Sequence, residues 1–191
     1  ALLVLAALAG LAVLSLFVAL AAGSLTVSLA DVVGTISGSG DGLAIEVIRG
    51  LRLPRALAAF ACGGLLALAG ALMQVLLRNP LADPYVLGIS GGAAVGALSA
   101  MLAGLALAFI NLFAFAGAFA AMLVVFGLAH GDSSWTRTRL LLTGVIVAAG
   151  CGALVALMLT IADEHKLRGM LFWLMGDLGQ SGQWWPALLT L

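Results

Sequence analysis

The chain has 191 residues, 64% apolar and 8% charged, and its eight basic and eight acidic side chains balance to zero. Average globular domains carry about a quarter of their residues as charged groups, so this complement is too small to clothe the surface that a soluble domain of this size leaves exposed. The mean hydropathy of +1.25 and the absence of a basic excess for phosphate backbones argue against a soluble enzyme, a disordered tail or a nucleic-acid binder, and make lipid the solvent for most of the chain.

A spanning helix needs about 20 apolar residues to cross about 30 Å of hydrocarbon, so the gaps between charges define the elements. Residues 1–30 carry no charge and predict a first span near 2–22. With no basic leader and an apolar run beyond the usual ~7–15 residues, it reads as a retained helix and not as a signal peptide. The sequence does not open on Met, and further residues are expected to precede it. Asp31, Asp41, Glu46, Arg49, Arg52 and Arg55 then form a charged stretch, and the charge-free run that follows predicts a second span near 56–77. Arg78 and Asp83 interrupt. Residues 84–131 are again without formal charge, too long for one span and right for two, near 85–107 and 110–130, with Gly104 and Asn111 at the turn. Beyond Asp132, Arg137 and Arg139 lies a fifth span near 140–161. The cluster 163–168 closes it, and 184–191 begins a sixth. The predicted fold is an all-α polytopic transmembrane bundle of five complete spans plus the start of another. Lys and Arg alone place loops one, three and five (Arg49, Arg52, Arg55, Lys166, Arg168) in the cytoplasm by a small margin over loops two and four (Arg78, Arg137, Arg139).

Three stripes of small residues at four-residue spacing predict close helix contacts, which do much of the work of association in lipid: Gly88, Gly92, Gly96, Ala100, Gly104; Gly144, Ala148, Gly152, Ala156; and Ala59, Gly63, Ala67, Ala71. The segment 78–92 is more distinctive. Pro80 biases Asn79 away from helix, Asp83 followed by Pro84 reads as an N-cap with proline at the first helical position, and Gly88, Ser90, Gly91 and Gly92 loosen the start of the next span. Irregular backbone at membrane depth is tolerated only under cover of protein or beside a water-filled cavity, so this is either a pathway-lining segment or an interfacial turn. Gln74 is expected to bond between helices, His130 and His165 to be solvated, Trp173, Trp184 and Trp185 to sit in an interfacial belt, and Cys62 and Cys151 to be small buried hydrophobes. No H-E-x-x-H, G-x-S-x-G or phosphate-cradling G-x-x-x-x-G-K-[ST] occurs, no carboxylate lies well inside a span, and neither a metal site nor a cofactor is predicted.

RLPR (52–55), LALAGALMQ (66–74) and RNPLADPYVLGISGGAAVGA (78–97), followed by TRLLLTGV (138–145) and FWLMGDLGQ (172–180) with Trp184, strongly resemble the FecCD-type permease subunits of ABC importers for iron siderophores, haem and vitamin B12. The resemblance implies an inner-membrane multi-pass permease of ten spans. It further implies a homodimer served by separate ATP-binding cassette ATPase subunits and a periplasmic binding protein, with no bond chemistry in the permease. Residues 1–191 would be the N-terminal part of one such domain, either a shortened gene product or part of a longer chain. The family places the first loop in the periplasm, against the charge count, and the family placement is adopted. Arg52 and Arg55 match arginines that receive carboxylates of the binding protein; anchoring to lipid phosphates is the alternative. Asn79 and Leu81 match one cytoplasmic gate. Thr136, Arg137 and Thr138 match a second, where Arg137 departs from the family's small hydroxyl residues. Pro80, Pro84, Gly88, Ser90, Gly91 and Gly92 form the flexible pathway segment. The cargo is expected to be an iron chelate, with cobalamin as the alternative. A small channel or membrane scaffold, and an ion-coupled carrier, are the competing classes; dependence on an ATPase and a binding protein discriminates them.

Overall fold

The computed structural model describes residues 2–23, 27–37, 42–130, 137–176 and 178. All the regular structure among them is helical: α1 (Leu2–Ala21), α2 (Leu29–Ser37), α3 (Leu43–Val47), α4 (Leu53–Leu77), α5 (Ile89–Leu102), α6 (Leu107–Ala129), α7 (Arg137–Ile161) and α8 (Glu164–Met175), with a π turn at Ile48–Arg52 and a 3-10 turn at Pro84–Leu87. Leu2–Ala21, Ile45–Leu77, Leu107–Ala129 and Arg137–Ile161 are long and apolar enough to cross a membrane, which matches the first, second, fourth and fifth expected spans. Two of these helices, α4 and α7, start ahead of the charge-free run, because Arg55 rides in the first turn of one and Arg137 and Arg139 in that of the other.

The third expected span differs. It is a 14-residue helix, α5, about 21 Å long at 1.5 Å per residue, and so short of the ~30 Å hydrocarbon core. Two glycines set its ends: Gly88 at φ 69° precedes it and Gly104 at φ 71° follows it. Hydropathy does not register such left-handed positions, which glycine adopts freely. The charged stretch 31–55 is also not a plain loop but contains α2, α3 and the π turn, and α8 grows from the charged cluster 163–168. The expected sixth span lies outside the described residues.

The chain divides into two compact units, residues 1–66 with 177–191 and residues 67–176. In the first, α2 opens with a capping box: the Ser28 N–H and hydroxyl both donate to Asp31 Oδ2 (3.0 and 2.8 Å), and the Asp31 N–H donates back to Ser28 Oγ (3.2 Å). Val32 of α2, Leu20 of α1, Ile48 and Ala56 form the buried cluster. The π turn has a local cause. Pro54 has no N–H for the carbonyl of Gly50, and its ring crowds that carbonyl; the wider turn relieves both, with the Leu53 N–H bonded to the Ile48 carbonyl. Along α1 only Leu20 is buried, and Cys62 on α4 is exposed, contrary to expectation.

In the second unit, α5 buries Gly92, Ala94, Ala97, Leu98 and Ala100. Its glycines let backbone meet backbone: a Cβ on Gly92 would collide with the Gly117 carbonyl of α6, and one on Gly96 with the Phe113 carbonyl. The corner after α5 is a Schellman motif, with the Gly104 N–H on the Met101 carbonyl and the Leu105 N–H on the Ala100 carbonyl. Lys166 of α8 donates to the next carbonyl, Leu102 (2.7 Å), a cation placed where the helix dipole favours it. Ala97, Leu98, Ala100, Ile110 and Met170 form a cluster below this corner, and Trp173, expected in an interfacial belt, packs half-buried against it.

Candidate functional site

The segment 78–92 is built by successive local bonds. α4 ends in a second Schellman motif, with the Arg78 N–H on the Val75 carbonyl and the Asn79 N–H on the Gln74 carbonyl. Arg78 takes the left-handed position, φ 47°, where a Cβ costs about 1–2 kcal/mol. Asn79 Oδ1 accepts from the Leu81 N–H at 3.0 Å, an Asx turn that leaves the Leu81 side chain 88% exposed. Asp83 caps as expected: its Oδ1 accepts from the Tyr85 N–H at 2.8 Å, and Pro84 occupies the first position of the 3-10 turn.

Beyond this turn the irregular backbone is covered by protein. Leu87, Gly88 and Gly92 are buried, whereas Pro80 and Ser90 are exposed. A Cβ on Gly88 would stand 2.9 Å from the Ala148 nitrogen of α7, one on Gly91 2.8 Å from Cys151 Cβ, and one on Gly144 2.6 Å from the Val86 carbonyl. The helix break after Pro84 therefore lies flush against α7 as well as α6. Two of the three predicted stripes meet neighbours in this way over part of their length, at Gly88, Gly92 and Gly96 and at Gly144 and Ala148, while Gly104 and Gly152 face open space. The third does not: Ala59, Gly63, Ala67 and Ala71 are all exposed.

Arg137 and Thr138 lie exposed in the first turn of α7, and Thr136 lies outside the described residues. The cluster of Met73, Leu77, Leu87, Val125, Ala129 and Leu140 joins the end of α4, the 3-10 turn, the end of α6 and the start of α7. It thereby places Asn79 and Leu81 and the Arg137–Thr138 turn around one end of the same unit. Gln74 is exposed and makes no side-chain hydrogen bond among the described residues, against the expected interhelical bond.

The two arginines of the first unit are used differently. Arg52, half-buried, donates from Nη1 to the carbonyls of Leu20 (2.8 Å) and Ala21 (3.0 Å), closing the C-terminus of α1. Its Nη2 lies so near Gly23 that a Cβ there would approach to 2.6 Å. Arg49 likewise donates to the Thr35 carbonyl at 3.0 Å near the end of α2. Arg55, one turn on, is exposed. Arg52 and Arg55 share a cavity of about 530 Å³ with Ala19, Val47 and Leu51. In the same unit the Ser28 hydroxyl, and after it the Ser28 N–H, hold the Asp31 carboxyl below the usual aspartate range.

Sequence reading missed the roles of Arg49, Lys166 and Gly117, each of which acts across a tertiary contact. The Ser28-x-x-Asp31 box was readable from its spacing. His130 and His165 are exposed, and no group of three metal-ligating side chains occurs among the described residues.

Residues 11–191 match the family model of the FecCD transport family. The chain is 43% identical over 149 residues to the hemin transport system permease protein HmuU of Yersinia pestis, covering 73% of this chain and 43% of that protein. It is 42% identical over 132 residues to the vitamin B12 import system permease protein BtuC of Salmonella paratyphi A, covering 68% and 40% respectively. The chain thus spans less than half the length of these curated relatives. A solved structure described as an inward-facing conformation of a metal-chelate type ABC transporter matches with a TM-score of 0.77 at 30% identity, over 96% of this chain and 54% of that one.

Proposed function

The chain belongs to the FecCD transport family, and from that membership we propose that it forms the N-terminal part of the permease subunit of an ATP-driven importer in a bacterial inner membrane. Its cargo is a metal chelate, either a ferric siderophore or haem, or else cobalamin. A separate ATPase supplies the energy, two permease chains enclose the path, and a periplasmic binding protein delivers the cargo. The reading is carried by the family match over 11–191 together with the permease fold shared over 96% of the chain.

The residues support a mechanism of gating without bond chemistry. The broken helix at 84–92 is seated on glycines of α6 and α7, so a shift of either helix moves it as a body. Asn79, Leu81, Arg137 and Thr138 stand at the end of that unit, where a gate between inward and outward populations would close. Orientation with the first loop outside rests on the family's placement, against the small Lys and Arg margin of the sequence.

Within this reading Arg55, being exposed, is the guanidinium that takes a carboxylate of the binding protein, and Arg52 positions the neighbouring helix end. The full-length permease with Arg55→Glu, assembled with its ATPase and assayed in detergent free of anionic lipid, is expected to bind the binding protein at least about tenfold more weakly, with the salt dependence of a charge pair. Docking unchanged by Arg55→Glu overturns this role. Uptake of haem, ferric siderophore and cobalamin by cells expressing the full-length chain then identifies the cargo.

A further inference from the structure

Lys166 stands where its own helix disfavours it. Asp163 is the N-cap of α8, so Lys166 falls inside the first turn, where the macrodipole opposes a cation. Two carboxylates, Asp163 and Glu164, lie within three residues of it, yet among the described residues it pairs with neither. Its ammonium crosses instead to another helix and donates to the Leu102 carbonyl at 2.7 Å. The corner after α5 sends the Gly104 and Leu105 N–H groups to Met101 and Ala100, and among the described residues no backbone N–H takes the Leu102 carbonyl. A residue that breaks a local rule and is compensated only by a tertiary contact marks a strained or functional place.

α8 is also separable from α7. α7 ends at Ile161, and Ala162 and Asp163 lie outside both helices. Asp163 is extended (φ −61°, ψ 148°), and its side chain makes no cap bond. Among the described residues, α8 is fastened by Lys166 on Leu102 and by Met170, fully buried with Ala97, Leu98, Ala100 and Ile110, with Trp173 packed beside them.

We propose that Lys166 is the latch of α8 and a positioning residue for transport. With the bond made, the ammonium satisfies the corner carbonyl and α8 is helical from its first turn. With the bond open, the cation stays uncompensated in that turn, so release from the corner also loosens the start of α8. The latch acts on α7, which carries Arg137 and Thr138 in its first turn and α8 beyond its last. While the bond holds, the far end of α7 is tied to the corner between α5 and α6. When it opens, α7 is free to shift between the inward and outward populations. The latch itself stands on the contacts of this unit; its part in transport rests on the importer reading.

The test uses the full-length permease assembled with its ATPase, as native protein, Lys166→Met and Lys166→Arg. Amide exchange read over 164–170 is expected to quicken about tenfold in Lys166→Met, as for loss of a hydrogen bond to a charged group, with exchange in α6 unaltered. ATP hydrolysis without cargo is expected to rise at least about threefold in the same variant, and Lys166→Arg to restore both. Unchanged exchange over 164–170 in a folded Lys166→Met protein overturns the latch, the result if the rest of the full-length chain holds α8. Quickened exchange with unchanged hydrolysis overturns the part in transport and leaves Lys166 a packing residue. If hydrolysis by the native complex does not respond to binding protein loaded with haem, ferric siderophore or cobalamin, the importer reading fails, while exchange still decides whether Lys166 holds α8.

Discussion

α4 and α5 carry the same sequence signal and use it in opposite ways. On α5, Gly92 and Gly96 bring the backbone onto α6 so closely that no side chain could intervene. On α4, Gly63 and its small neighbours face open space. A small-xxx-small stripe permits close approach, but the partner decides whether approach occurs. The two regions also differ in what holds them. The unit of α5 to α8 rests on interlocked backbone and apolar clusters, while the ends of α1 and α2 are held by guanidiniums bonded to carbonyls. The first kind of contact is rigid and tolerates no added atom. The second is polar, local and sensitive to charge.

The sharpest break of this contrast is a pair of glycine substitutions. Gly96→Leu is expected to cost about 3 kcal/mol or more, above ordinary overpacking because it strikes backbone, and to lower the thermal unfolding temperature in detergent steeply. Gly63→Ala is expected to leave that temperature unchanged or to raise it, by up to about 1 kcal/mol of helix propensity. Similar losses at both sites would dissolve the distinction between the helices. A smaller effect is expected from Arg52→Met, which removes both bonds to the end of α1. At a half-exposed site this is worth about 1 kcal/mol, seen as faster amide exchange in the last turn of α1 with exchange in α5 unaltered.

The smallest effect concerns pH. Because Ser28 lowers the Asp31 pKa in the folded chain, the capping box contributes fully above the ordinary aspartate value of about 3.9. That contribution fades as pH falls through the lower folded value. Amide exchange at the start of α2 is expected to quicken only in that acidic window, and Asp31→Asn to remove the dependence.

The spans were legible because charges are expensive in hydrocarbon, so gaps such as 56–77 and 140–161 mark helices to within a few residues. Their starts were misplaced because Arg55 and Arg137 can sit in a helical first turn at the interface. The third span was misread because Gly88 and Gly104 change the backbone without changing hydropathy. At the candidate site, Asp83 and Pro84 were readable because a cap and a proline act through their own backbone. The bonds from Arg52 to Leu20 and from Lys166 to Leu102 were not, since they join residues distant in sequence and leave no period or motif. The unequal fates of the stripes on α4 and α5 were hidden for the same reason.

Lys166 is the chain's single lysine, and its ammonium is held on the Leu102 carbonyl at the end of α5. An amine-selective reagent thus has one side chain in this sequence to modify, and it reacts faster when that bond opens. Its labelling rate is a chemical clock for the separation of α8 from the corner after α5. Read on the peptide that carries Lys166, that rate times the corner without adding a probe residue to this segment.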